Sequence, residues 1–441
     1  MNIPSLDQLR RNLKPGDSTL EQNAWNLYLE IAFYGFMFGI VQTFLNVYAI
    51  RLGASNEVLG LLSSAPPFVF AVGAIPAARL VERTQRQMPF ILATSGLYRV
   101  GVAVLGLMPF VLSAHRAEAM VVIVLLMSIP QIMSSISFSS MFADLVPTES
   151  RAKVVAVRNT LLGLTSTLAT FLGGQYLGIS LAGTDSPFAP LFTFPLNYQI
   201  LFLTCFAASL AGLYYLGRVR ASGHLAPLPQ LGPRDRRPFR TRIQSFVRLM
   251  LSQQDFSRYT AAMFIMHWGV YLPVPLYSIF WVRTLHASDS FVGLILTVQS
   301  IATMLVYPIL PRVNNRLGSR GLVALSLVLT ALYPLGTAFV TTLEPLLLIA
   351  VLGGVSGGMF NLGTFNLLLE VAPQERRPSF LAAFNTAVFS AGCVAPFIGT
   401  ALLAVIDIRQ DLLFGFALRF AGFVAFLLMV GLSSKAKPST V

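Results

Sequence analysis

Asp144-Leu145-Val146-Pro147-Thr148-Glu149-Ser150-Arg151, followed by Arg158-Asn159-Thr160, decides how this chain is organised. The pattern returns as Glu370-Val371-Ala372-Pro373-Gln374-Glu375-Arg376-Arg377, followed by Phe384-Asn385-Thr386. At one constant offset, acid meets acid, Pro147 meets Pro373, Arg151 meets Arg377 and Asn159-Thr160 meets Asn385-Thr386. A second pair repeats in the same order: Ala78-Arg79-Leu80-Val81-Glu82-Arg83 against Pro311-Arg312-Val313-Asn314-Asn315-Arg316. Two polar signatures, each set between long apolar runs, mean that one half of the chain was built twice.

The material between the signatures is lipid-soluble. The 441 residues are 55% hydrophobic and 11% charged, with a mean hydropathy of +0.69. Soluble domains carry about 25% charged residues, so the missing charge points to a bilayer as solvent. The net charge of +13 does not form a stripe on a polar domain, so nucleic acid is not an expected partner. Cys205 and Cys393 both lie in apolar runs, which argues against a disulfide framework. The first 24 residues are polar, and no cleavable signal peptide is expected. A crossing helix needs roughly 20 apolar residues. Such runs lie near 25–50, 57–80, 89–112, 118–143, 152–178 and 197–217, then near 258–282, 289–311, 320–340, 345–369, 378–406 and 411–433.

The connectors fix an orientation. One side carries Arg10, Arg11, Lys14, Arg83, Arg86, Arg151, Lys153, a basic cluster from Arg218 to Arg248, Arg316, Arg320, Arg376, Arg377, Lys435 and Lys437. The other has Arg51, Arg116, Arg283 and Arg409. The positive-inside rule puts both termini and the central connector in the cytoplasm of a cell or inner membrane. The expected divisions are a cytoplasmic segment 1–24, a six-helix bundle 25–217, a basic linker 218–255, a second six-helix bundle 256–433 and a cytoplasmic tail 434–441. Within the linker, Phe239, Ile243, Phe246, Val247 and Met250 share one helical face beside Arg240, Arg242 and Arg248. That predicts a basic amphipathic helix at the inner leaflet. Leu6, Leu9 and Leu13 form a shorter stripe of the same kind.

Two sets of six helices around a basic loop, with these repeats, resemble the major facilitator superfamily over nearly the whole chain. The family's loop signature after helix two, G-x-x-x-D-R-x-G-R-R, reads here Ala78-Arg79-Leu80-Val81-Glu82-Arg83-Thr84-Gln85-Arg86-Gln87. Acid and arginines are kept; both glycines and the last basic residue are not. The second copy has Asn315 at the acidic place and keeps Arg316, Gly318 and Arg320. The resemblance implies an all-α membrane fold of twelve spans in two pseudo-twofold bundles, acting as a monomer without cofactor. It also implies a cytoplasmic latch of charge-assisted hydrogen bonds from Glu82, Arg83, Arg86 and Asp144, with Arg151, Arg316, Glu370 and Arg377 at the paired loops. The family's drug/proton antiporters often carry an arginine in helix four and G-P-x-x-G-G in helix five. Helix four here has no arginine, and helix five has Gly173-Gly174 without the proline.

In the family, helices one, four, seven and ten line the substrate cavity. Helix one offers Gln42 and Asn46 on the face of Gly35 and Gly39; helix four offers Gln131 and Ser135; helix seven offers His267, Trp268 and Tyr271 beside the breaks at Pro273 and Pro275; helix ten offers Asn361. Amides and aromatics orient a solute without fixed charge, and the same amides can instead join helices by hydrogen bonds. Ionisable groups inside a span are costly and few: Glu30, Arg99, Arg158, His267 and Arg419. Glu30 and Arg158 lie at similar depth and are expected to pair, as a proton carrier or as a staple. His267 is a second proton-coupling candidate. Arg99 has no partner assignable from sequence. The reading is a secondary active transporter of a small organic solute, coupled to protons. A passive facilitator and a non-transporting receptor are the alternatives. No carboxylate pair, metal-ligand spacing or Ser-His-Asp set suggests an enzyme, and no Walker run suggests ATP drive.

Overall fold

The computed structural model describes residues 19–82, 84, 87–180, 187–220, 248, 253–374 and 377–432. The first amphipathic stripe, nearly all of the second and the tail 434–441 lie outside them. Among the described residues there is no strand, and twelve helices are long and apolar enough to cross a membrane. They are α1 (Thr19–Arg51), α2 (Asn56–Glu82), α3 (Gln87–Val111), α4 (Arg116–Leu145), α5 (Thr148–Gly178), α6 (Leu196–Gly217), α7 (Gln254–Thr284), α8 (Asp289–Val306), α9 (Leu310–Phe339), α10 (Pro345–Val371), α11 (Arg377–Leu402) and α12 (Ile408–Met429). The all-α, twelve-span expectation is met.

Each helix has a reason to start, bend or stop where it does. Ser288 caps α8 by accepting from the Phe291 amide, and Asp407 with Gln410 forms a capping box on α12. Helix α7 breaks after Tyr271, because Pro273 and Pro275 remove two amide donors. It resumes at Val274–Ile279 and closes on a π-helical turn at Phe280–Thr284. Gly318, inside the second loop signature, has φ 69° and ψ 169° and divides α9 into two helical pieces. Only glycine adopts that backbone readily, so the signature glycine is a hinge in the chain path.

Two compact units emerge: Met1–Leu45 with Val72–Pro233, and Asn46–Ala71 with Arg234–Val441. In the first, Leu27, Ile91, Met141, Phe142, Val154 and Leu216 form a core. The opposite face of α3 exposes Leu97, Val100, Val104, Leu107 and Phe110. Their helical spacing makes one unbroken apolar stripe, the surface a lipid-facing helix presents. Gly35 and Gly39 face α5 at close range: a Cβ at Gly39 would lie 2.3 Å from the Ser166 carbonyl oxygen. This glycine pair is a packing face, and Gln42 beyond it is exposed.

In the second unit, Phe256, Tyr259, Met263, Val323, Leu327, Phe360, Phe384 and Phe426 build the core. The first turns of α2 belong to this unit because Gly60 abuts Phe397 and Thr400, and Phe70 meets Phe389 with ring centroids 6.0 Å apart. Arg51 donates to Asp289 at 2.9 Å and to the Ala287 carbonyl at 3.1 Å. Arg283 donates to Asn56 Oδ1 at 2.6 Å and to the Ala54 carbonyl.

Candidate functional site

The first unit gathers three charges, with Glu30 and Arg99 buried and Arg158 partly exposed. Arg158 of α5 donates through Nη2 to Glu30 Oε2 of α1 at 3.0 Å. Arg99 of α3 approaches Glu30 Oε1 at 3.5 Å from the other side. The expected Glu30–Arg158 pair is therefore formed, and Glu30 is also the partner that sequence could not assign to Arg99. Arg99 is 0% exposed. It is held by donation from Nη1 to the Ser95 carbonyl at 3.1 Å and to the Ser95 hydroxyl. Gly212 of α6 opens the lane: a Cβ there would come 3.1 Å from the Glu30 carbonyl oxygen and 3.7 Å from Arg99 Nη2.

Aromatic rings insulate the cluster. The Arg158 guanidinium lies 4.2 Å from the Phe138 ring centroid and 5.7 Å from that of Phe142. Arg99 lies 5.8 Å from the Tyr34 ring centroid. Such cation–π contacts contribute about 0.5–2 kcal/mol each. The Tyr34 hydroxyl lies against the side chains of Gln131 and Tyr98, which brings Gln131 of α4 into the same network. Beside Arg158 opens a cavity of 270 Å³ lined by Ile31, Phe138, Ser139, Phe142, Val155, Arg158 and Asn159.

Other candidates fall elsewhere. Asn46 Nδ2 donates weakly to Ser63 Oγ at 3.4 Å, and Ser135 and Asn361 are exposed. His267 Nδ1 lies 2.7 Å from the Met263 carbonyl oxygen. That oxygen can only accept, so Nδ1 carries a proton. The imidazole sits among Tyr271, Phe360 and Phe384, while Trp268 packs edge-on to Phe264.

Arg419 of α12 has a structural task. It donates to the carbonyls of Gly269 at 2.8 Å and Thr330 at 2.7 Å, and to the Tyr277 hydroxyl at 3.1 Å. The Gly269 carbonyl would ordinarily bond the amide four residues on, but that residue is Pro273. Arg419 supplies the donor that the proline lacks.

Sequence reasoning missed Asp411. It is 0% exposed in the first turn of α12, and neither carboxylate oxygen has a hydrogen-bond partner. An acid in a first turn ordinarily reads as a helix-terminus preference, which hid it.

At the loops, Arg83 and Arg86 and the side chains of Glu82 and Asp144 lie outside the described residues. Arg151 and Arg377, equivalent in the repeat, do the same thing: they donate to the Val146 carbonyl at 3.3 Å and the Leu369 carbonyl at 3.2 Å. Each arginine thus satisfies a carbonyl near the end of the preceding helix. Ser319 donates to Glu370, and Arg316 is exposed. No group of three or more His, Cys, Asp and Glu suited to a metal occurs among the described residues.

Among the described residues, twelve helices long and apolar enough to cross a bilayer define a multi-pass membrane protein. The sequence profile of the Major Facilitator Superfamily matches residues 27–263 and 259–440, and the chain belongs to that family. A curated relative, the quinolone resistance protein NorA of Staphylococcus aureus (strain MRSA252), is 25% identical over 177 residues, covering 40% of this chain and 44% of that protein. The chain thus matches less than half the length of this relative. Among solved structures, the D-xylose-proton symporter aligns with a TM-score of 0.68 at 15% identity, over 96% of this chain and 100% of that one. The nucleoside transporter NupG, in a mutant form, gives 0.69 at 14% over 92% and 99%. The peptide transporter POT, in a mutant form bound to alafosfalin, gives 0.70 at 12% over 97% and 98%. These likenesses establish the fold.

Proposed function

We propose that this chain is a secondary active transporter that moves a small organic solute by alternating access and couples the movement to protons through Glu30. The observation that supports this is a carboxylate buried between two guanidiniums on three helices. Arginine stays protonated, so the carboxylate is the member of the cluster that can change charge. Proton coupling requires a group whose affinity for a proton differs between two conformations. A carboxylate that is ion-paired in one state and released in another meets that requirement. Under this reading the arginine-rich loops are cytoplasmic, both termini face the cytoplasm, and Glu82, Arg83, Arg86 and Asp144 form the gate there.

The test is a vesicle uptake screen of small organic solutes, in both orientations, with and without a pH gradient. Wild-type protein is expected to accumulate a solute when the gradient is imposed. Glu30→Gln is expected to abolish accumulation while leaving solute exchange, which moves no net proton. Glu30→Gln protein that still concentrates the solute removes Glu30 as the carrier and leaves His267. A passive facilitator is the second reading, because two arginines could hold Glu30 as a permanent staple. Gradient-independent flux in the wild type would favour it.

A further inference from the structure

We infer that the 270 Å³ cavity beside Arg158 binds the carboxylate of a small organic anion, and that this anion and Glu30 compete for the same guanidinium. The inference rests on the transporter reading for its biological sense, but not for its test.

Charge is the first argument. Among the described residues the buried cluster holds two guanidiniums, Arg99 and Arg158, and one carboxylate, Glu30. Its other titratable neighbours are the phenols Tyr28, Tyr34 and Tyr98, and an ordinary phenol is neutral at physiological pH. The α4 side that packs on Arg158 offers Phe138 and Phe142; the Asp144 side chain lies outside the described residues. On α5, Arg151 and Lys153 add positive charge and Glu149 one negative charge. The cluster therefore carries one excess positive charge. Unbalanced charge in a largely apolar surround is expensive, and an anion entering from the cavity beside the partly exposed Arg158 removes the imbalance.

Geometry is the second argument. Of the five donors of Arg158, one is given to Glu30 at 3.0 Å, and its buried Nε has no acceptor. The same side chain lines the cavity with Ser139 and Asn159, against an apolar wall of Ile31, Phe138, Phe142 and Val155. Ser139 gives its hydroxyl hydrogen to the Ser135 carbonyl at 2.8 Å. The donors left for a carboxylate are therefore the guanidinium's spare N–H groups and the Asn159 amide, set against an apolar wall that suits a small apolar body. The volume lies just below the roughly 300–1,000 Å³ common for small-molecule sites, which favours a monocarboxylate over a bulky solute.

Competition follows. With Glu30 ionised, it holds one donor of Arg158; with Glu30 protonated, the whole guanidinium is free and the excess positive charge grows to two. Anion and proton then bind with mutual reinforcement, and the pair carries no net charge.

The test measures binding in purified protein in lipid nanodiscs, so it is independent of transport. Acetate, lactate, benzoate and salicylate are titrated, each against its uncharged amide, with the unfolding midpoint and calorimetry as readouts. At least one of the four carboxylates is expected to bind at millimolar concentration or tighter, and its amide at least tenfold more weakly. Arg158→Gln should abolish the difference, whereas Glu30→Gln should tighten carboxylate binding about tenfold. Should Arg158→Gln not fold, the carboxylate–amide contrast in the wild type and the Glu30→Gln shift decide the matter. Absence of binding by all four carboxylates overturns the inference. So does equal binding of amide and acid, or a folded Arg158→Gln protein that binds like the wild type. Binding with the expected pattern but no proton-driven uptake would instead retain the anion site and reject the coupled-transport reading.

Discussion

Arg419 and Asp411 stand eight positions apart on α12 and illustrate opposite solutions to burying a charge. Arg419 spends its donors on backbone carbonyls, among them the Gly269 oxygen left without an amide by Pro273. Truncating it should leave that carbonyl unpaired in an apolar interior, at a cost of about 1–3 kcal/mol. The lost Thr330 and Tyr277 contacts add to this. Arg419→Met is therefore expected to lower the unfolding midpoint in detergent clearly; an unchanged midpoint would show that the carbonyl finds another donor. Asp411 has no bonded oxygen, and a neutral side chain of the same shape avoids the desolvation of an anion. Asp411→Asn is expected to keep or raise the midpoint. A fall would reveal a donor reaching the carboxylate. Both residues could be seen in the sequence, but their roles could not. The task of Arg419 becomes readable only when Gly269 and Pro273 are counted four apart and α12 is known to pack on α7. The Glu30–Arg158 pair was legible because two isolated charges at matching depths in apolar spans have few other partners. Arg99 was not, since its approach to Glu30 depends on a gap left by Gly212.

At the level of elements, small residues decide which helices touch. A Cβ at Gly354 of α10 would lie 2.1 Å from the Gln299 carbonyl oxygen of α8, while one at Gly357 meets nothing within 4 Å. Gly353 and Gly358 contact Tyr333 and Val306 closely, so the glycine run of α10 is a seam for α8 and α9. Small residues let backbones approach in lipid, so a glycine run of this kind suits close packing. The sequence could not say which glycine matters. Gly354→Ala is expected to destabilise by about 1–3 kcal/mol through overpacking against backbone. Gly357→Ala should be neutral or stabilise by up to about 1 kcal/mol, since alanine fits there and favours the helix. Equal effects on the unfolding midpoints of the two variants would remove the seam. Helix α1 shows where periodicity misleads: Gly35, Gly39, Gln42 and Asn46 recur at helical spacing, yet the glycines are pressed on α5 and Gln42 is exposed.

For the whole molecule, the arginines of the sparsely charged side are few, and each is held by an acceptor. Arg51 binds Asp289 and the Ala287 carbonyl, and Arg116 binds the Leu112 carbonyl at 2.8 Å. Arg283 binds Asn56 and the Ala54 carbonyl, and Arg409 binds the Ala338 carbonyl at 2.9 Å. Arg116 is anchored to the end of the preceding helix, and Arg51, Arg283 and Arg409 to sequence-distant loops and helix ends, so each has a structural reason to be there. The opposite side carries many more basic residues than these four. Since cytoplasmic loops accumulate Lys and Arg, that side, including the central connector, is expected to be cytoplasmic. The check is a single reporter cysteine at Arg236→Cys, in a background where Cys205 and Cys393 are replaced by alanine and serine. A membrane-impermeant maleimide should label it in inside-out vesicles and not in intact cells, with a cysteine at Arg116 giving the reverse pattern. Labelling of position 236 from outside intact cells would invert the assigned orientation, and the proposed cytoplasmic gate with it.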